Sequence, residues 1–171
     1  TGTNAGTYTV YYYTPGNTNY KEKSGSVSVT IAKKSVSVTW GTTTSFTYNG
    51  SAQGPTASVD TGISAETMTV TRTTQTNAST SNYTSTATCA SVSGGQKSCY
   101  NYTVTTTTKT YTIGKKANTL TATAKSALTY TGSAQTLATV ASAQGTVYYS
   151  TTTQLTSSNY SSSGSTTIST G

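Results

Sequence analysis

Phe46-Thr47-Tyr48-Asn49-Gly50-Ser51-Ala52-Gln53 returns 82 positions later as Leu128-Thr129-Tyr130-Thr131-Gly132-Ser133-Ala134-Gln135. The echo runs upstream at the same spacing, where Ala32-Lys33-Lys34-Ser35 matches Gly114-Lys115-Lys116-Ala117. Each Lys-Lys pair follows an alternating run that ends in isoleucine, Ser26-Val27-Ser28-Val29-Thr30-Ile31 and Lys109-Thr110-Tyr111-Thr112-Ile113. Tyr8-Thr9-Val10 also returns, outside that register, as Tyr102-Thr103-Val104. A fixed period of this length signals copies of one structural unit, and it outranks any local reading.

The period divides the chain unevenly. Residues 32–113 make one whole unit, 1–31 read as the back half of a unit, and 114–171 as a front half. Joining Ser165–Gly171 to Thr1–Tyr8 restores a plausible second unit, so the missing half is expected from an adjacent copy or from a longer array. The chain opens on Thr1-Gly2-Thr3-Asn4, which fits a processed protein or a window on a longer one.

Lys-Lys, a short alternating strand, [Phe/Leu]-Thr-Tyr-x-Gly-Ser-Ala-Gln and Ala5-Gly6-Thr7-Tyr8-Thr9-Val10, taken in that order, resemble the MBG-type bacterial immunoglobulin-like repeats. The resemblance covers nearly the whole chain. It implies mostly-β modules strung along surface adhesins or phage virion proteins, and it implies no catalytic residues. Some immunoglobulin-like modules form internal Lys–Asn isopeptide bonds beside a buried acid. Asp60 or Glu66 could serve that role, but no spacing identifies a triplet.

Composition agrees with display outside the cell. Only 8% of residues are charged and 32% are hydrophobic, while Thr and Ser fill 72 of 171 positions. Ordinary soluble domains carry about 25% charged residues. β-Branched Thr favours strands and keeps a surface wet without charge. A mucin-like tract would need more than the two prolines present. The net charge of +7 comes from scarce acids, and one arginine with scattered lysines makes no nucleic-acid face. The lysines read as solvated junction charges that discourage sheet edges from pairing. No apolar run approaches the roughly 18 residues of a membrane span.

Alternation places the strands. Tyr8, Val10 and Tyr12 face one side of the first strand, and Tyr11 and Tyr13 the other. Pro15-Gly16-Asn17 is a turn, and Val27, Val29 and Ile31 form the next inward row, the two strands making an antiparallel pair. Val36, Val38 and Trp40, then Phe46 and Tyr48, supply the core of the middle unit, joined by Ile63, Met68 and Val70. Trp40 and Phe46 are the only residues of their kinds. The second front half offers Leu120, Ala122, Leu128 and Tyr130 instead, a smaller apolar payload that predicts lower stability. Gly50 and Gly132 mark a shared glycine bend. Residues 71–88 are rich in Thr, Ser and Asn and carry no clear pattern. No stretch keeps a capped 3.6-residue period, so essentially no helix is expected. The fold class is all-β: tandem immunoglobulin-like β-sandwich modules of about seven strands each.

The chemistry is sparse. Cys89 and Cys99 flank Ser93-Gly94-Gly95-Gln96, read as the tip of a hairpin, and a disulfide across it would close about 11 residues. An oxidising exterior favours that bond. With no His and three acids, Glu22, Asp60 and Glu66, the usual general bases are almost absent and no triad or metal site is buildable. We therefore expect no catalytic residues, no metal and no cofactor. Asn49, Asn77, Asn82, Asn101 and Asn159 sit in Asn-x-Ser/Thr sequons. Tyr11 and Tyr13 could stack sugar rings or pack against another subunit. The functional expectation is a non-enzymatic structural repeat of an extracellular fibre, stalk or filament, polymerising head to tail by strand exchange. The alternative is a carbohydrate- or cell-surface-binding module of an adhesin or virion protein. Partners would be other copies or flanking repeats, or surface glycans, with neither nucleic acid nor membrane insertion.

Overall fold

Alternating Tyr, Thr and Val residues write the first strand, β1 (Gly6–Thr14), and alternating Ser and Val the second, β2 (Lys23–Ile31). In the computed structural model, which describes residues 1–94, 98–141 and 144–164, they pair antiparallel as a long hairpin. Tyr8 lies opposite Val29 and Val10 opposite Val27. The turn is closed by the Asn17 amide donating to the Tyr20 carbonyl at 2.8 Å, while the Asn17 side chain accepts from the amides of Asn19 and Tyr20. Asn is well suited here because its side chain can bond backbone two residues on.

The chain divides into two compact units, Thr1–Lys116 and Ala117–Gly171. The hairpin thus belongs with the middle of the chain. Its base is held by Asn101, whose side-chain oxygen accepts from the Ala5 amide and whose amide group donates to Asn4, both at 2.9 Å. Lys33 adds a cation–π contact, its Nζ 4.1 Å from the centre of the Tyr100 ring.

The rest of the first unit is one seven-stranded sheet. Its strands are β3 (Lys34–Trp40), β4 (Ser45–Thr47), β5 (Ala57–Val59), β6 (Thr67–Arg72), β7 (Tyr83–Ser93), β8 (Tyr102–Thr105) and β9 (Thr108–Gly114). The order is β4-β9-β7-β6-β5-β3-β8. β8 and β9 follow one another in the chain yet lie towards opposite ends of this order, so the sheet curls back on itself. Thr106 and Thr107 make the joint. The Thr106 carbonyl accepts from the Trp40 indole at 2.8 Å and the Thr107 carbonyl from the Ala87 amide at 2.8 Å. Thr106 takes a φ of 56°, a left-handed turn that aims each half of this broken strand at a different partner. Inside the curl lie Val36, Val38, Val59, Met68, Ala87, Val92 and Tyr102, with Trp40, Val70 and Val104 packed against them.

The second unit is smaller. β10 (Thr121–Ala124) pairs antiparallel with β11 (Ala138–Ala141), and one helical turn spans Tyr160–Ser163. The two units therefore do not repeat one another in strand content. The glycine bend is common to both, with φ of 84° at Gly50 and 75° at Gly132, a backbone region that favours glycine.

Four expected core positions are corrected. Val27 and Val29 are 52% and 50% exposed, because β1 and β2 pair only with each other and nothing among the described residues covers their apolar face. Tyr48 is exposed because β4 ends at Thr47 and the ring falls beyond the sheet. Ile63 is exposed as well, in the turn before β6. Ile31, Trp40 and Phe46 are half-buried, and Val36 and Val38 are buried. Gly95 of the expected hairpin tip and the Ser165–Gly171 junction lie outside the described residues.

Candidate interaction surface: the β1–β2 hairpin

Alternation along the hairpin sorts its side chains onto two faces. Tyr11 and Tyr13 stand on one, opposite Ser26 and Ser24, and Tyr11 is 80% exposed. The two rings stand about 7 Å apart along the strand by its rise per residue. Tyr11, Tyr12 and Tyr13 with Ser24, Gly25 and Ser26 line a shallow depression. The Tyr13 hydroxyl donates to Glu22 Oε2 at 2.9 Å, and this bond, with some desolvation, raises its pKa. The opposite face carries Tyr8, Val10, Val27 and Val29. Tyr12 on that face folds its ring over Gly25, where no Cβ would fit. Sequence reading placed this apolar row inside a module.

The disulfide forms as expected between Cys89 and Cys99, with Cα atoms 5.9 Å apart. Its frame differs from a hairpin. Cys89 lies in β7, but Cys99 lies in a 3₁₀ turn, Cys99–Asn101, where the Ser98 hydroxyl accepts from the Tyr100 amide at 3.1 Å. The bond ties the sheet to the turn that leads into β8 and holds Asn101 beneath the hairpin.

Each acid has a local partner. Asp60 accepts from the Gly62 amide at 2.8 Å and shapes the turn after β5. Glu66 accepts a hydrogen bond from the Tyr102 hydroxyl. Burial first, then this bond and the charge of Glu66, raise the Tyr102 pKa. Neither acid is seen bonded to a Lys–Asn pair among the described residues, so the isopeptide arrangement is not assembled there. Burial also raises the pKa of Tyr111, and the nearby Gln75 backbone opposes that rise. Its hydroxyl and the side-chain oxygen of Gln53 are buried without a hydrogen-bond partner. The nearby Gln75 amide is committed to the Gln53 carbonyl at 3.0 Å. No group of three potential metal ligands occurs among the described residues. Of the sequon residues, Asn49, Asn77 and Asn82 are exposed, whereas Asn101 is half-buried and holds Ala5.

No described helix is long and apolar enough to cross a membrane. The disulfide suits a non-reducing setting. No family model, curated protein or solved structure matches the chain.

Proposed function

We propose that this chain is a non-enzymatic structural module of an extracellular surface fibre, stalk or filament, built on immunoglobulin-like sandwich repeats of the MBG type. One observation carries the reading: a β-body cross-tied by Cys89–Cys99 presents a Ser/Thr surface in which each acid serves a local structural bond. Such a surface stays hydrated at any salt concentration, and the crosslink resists opening in an oxidising medium. The module's work is geometric, setting reach and spacing. Immunogold labelling of intact producing cells or particles with antibody to residues 32–113 tests it. Label along surface filaments is the expected result, and label confined to the cell interior overturns the reading.

A second reading, a carbohydrate- or cell-surface-binding module, is favoured by Tyr11 and Tyr13 standing side by side on an exposed face. Aromatic faces of this kind can stack sugar rings. A glycan array on the wild type, repeated after Tyr11→Ala and Tyr13→Ala, decides it. Signal that the substitutions abolish supports glycan binding, and an array without hits removes it.

A further inference from the structure

We propose that the apolar face and outer edge of the β1–β2 hairpin receive residues 120–130 of a second copy of this chain, with Ala127-Leu128-Thr129 adding as a parallel strand beside β2. The inference rests on the structural-module reading and names the partner and the surface. It comes from comparing the hairpin with a pair that already has its cover. β9 matches β2 at the 82-residue period, Ile113 with Ile31 and Tyr111 with Val29. β7 lies against β9 as β1 lies against β2: Tyr83 faces Tyr111 and Ser85 faces Lys109, just as Tyr8 faces Val29 and Val10 faces Val27. The hairpin is thus the counterpart of β7–β9.

Burial separates the two pairs. In β7–β9, Tyr111 is 2% and Ile113 0% exposed, and Ser85 and Ala87 are fully enclosed. In the hairpin the counterparts of Tyr111, Ser85 and Ala87, which are Val29, Val10 and Tyr12, are exposed, and Ile31, the counterpart of Ile113, is half-buried. The difference lies in what the front half of the repeat contributes. β4 adds in parallel to the free edge of β9, with Phe46 opposite Ile113, and the Phe46 ring meets Tyr111 edge-on at 5.9 Å. No described strand occupies the matching edge of β2.

The residues that would fill it are present. One period beyond β4 lie Ala127, Leu128 and Thr129, and the same shift puts Leu128 opposite Ile31. Leu120, Leu128 and Tyr130, the counterparts of Val38, Phe46 and Tyr48, are exposed in the second unit. Ala127 holds a φ of 56°, costly for a residue with a Cβ, where its counterpart Ser45 is extended in a strand. Strand addition would return Ala127 to the extended region and satisfy the β2 edge by backbone hydrogen bonds. These 171 residues hold both the hairpin and the strand that fits it, so the contact is heterologous and propagates head to tail.

Sedimentation velocity of the full 171-residue chain across a concentration series tests this. The wild type should form species that lengthen with concentration. Val29→Asp blocks the hairpin and Leu128→Asp blocks the front half, and each variant alone should remain monomeric. Mixed one to one, they should stop at a dimer, because each supplies one working end. Val27→Asp repeats the hairpin block should Val29→Asp lose its native circular dichroism. A wild type that stays monomeric throughout, single variants that still polymerise, or a mixture that grows past the dimer overturns the proposal. A monomeric wild type leaves the structural role standing, since surface labelling decides that separately.

Discussion

Three sites show how much rests on single groups. The Tyr111 hydroxyl is buried without a partner, and an unsatisfied hydroxyl costs on the order of 1–3 kcal/mol of desolvation. Tyr111→Phe keeps the ring against Phe46 and Tyr83 and removes that cost. It should stabilise the first unit by about 1 kcal/mol in urea denaturation, and a loss of stability would mean that the hydroxyl is satisfied. Tyr102 behaves oppositely, because its hydroxyl bonds Glu66. Its folded pKa lies above the ordinary tyrosine value of 10.0, so the folded state binds the proton more tightly than the unfolded chain. That contribution is complete below pH 10 and is lost as pH rises through the raised value. Unfolding titrations should therefore show stability falling on the alkaline side of pH 10, with a shallower fall in Tyr102→Phe. An unchanged slope would remove Tyr102 from the cause. The Cys89–Cys99 bond closes a loop of about 11 residues, for which loop entropy gives about 2.8 kcal/mol. Cys89→Ser with Cys99→Ser should lower the denaturation midpoint accordingly, and an unchanged midpoint would show that the bond constrains nothing in the unfolded chain.

At the level of elements, the sequence was legible where apolar and polar residues alternate. The hairpin, the Val36–Val38–Trp40 row and the glycine bends are visible because Val, Tyr and Trp stand out against Thr and Ser. β7 was hidden for the reverse reason. Its inward residues include Ser85 and Ala87, small because the curled sheet leaves no more room, and Ser85 satisfies its hydroxyl by donating to the Thr73 carbonyl at 2.6 Å. A strand whose inward row is a half-buried Tyr with buried Ser and Ala reads as a polar loop, so residues 71–88 carried no pattern although they feed the longest strand of the sheet. The exposure of Val27 and Val29 was illegible as well, since alternation tells which residues share a face but not whether anything covers it. An isolated two-stranded hairpin is marginal in water. Amide exchange should accordingly be fast in β1 and β2 and slow in β7, in dilute solution. Equal protection in both would mean that the hairpin is already covered within one molecule.

For the whole molecule, the uneven split of the core governs how it unfolds. Every buried hydrophobic side chain among the described residues lies at or before Ile113, in the first unit. The second unit leaves Leu120 and Leu128 exposed and Tyr130 92% exposed, with two paired strands as its sheet. Burial of apolar surface is the main favourable term in folding, so the second unit has less to set against its chain entropy. The disulfide lies in the first unit and widens the gap. Two-state behaviour belongs to single cooperative domains and should fail here. Trp40, the only tryptophan, packs in the first unit with its indole on Thr106. Its fluorescence therefore follows that unit alone, while far-UV circular dichroism follows both. In a urea titration of dilute protein the dichroism should begin to change first and the fluorescence later. Reducing the disulfide should move the fluorescence transition to lower urea and leave the early dichroism change in place. Coincident curves from the two probes would show that the units unfold together.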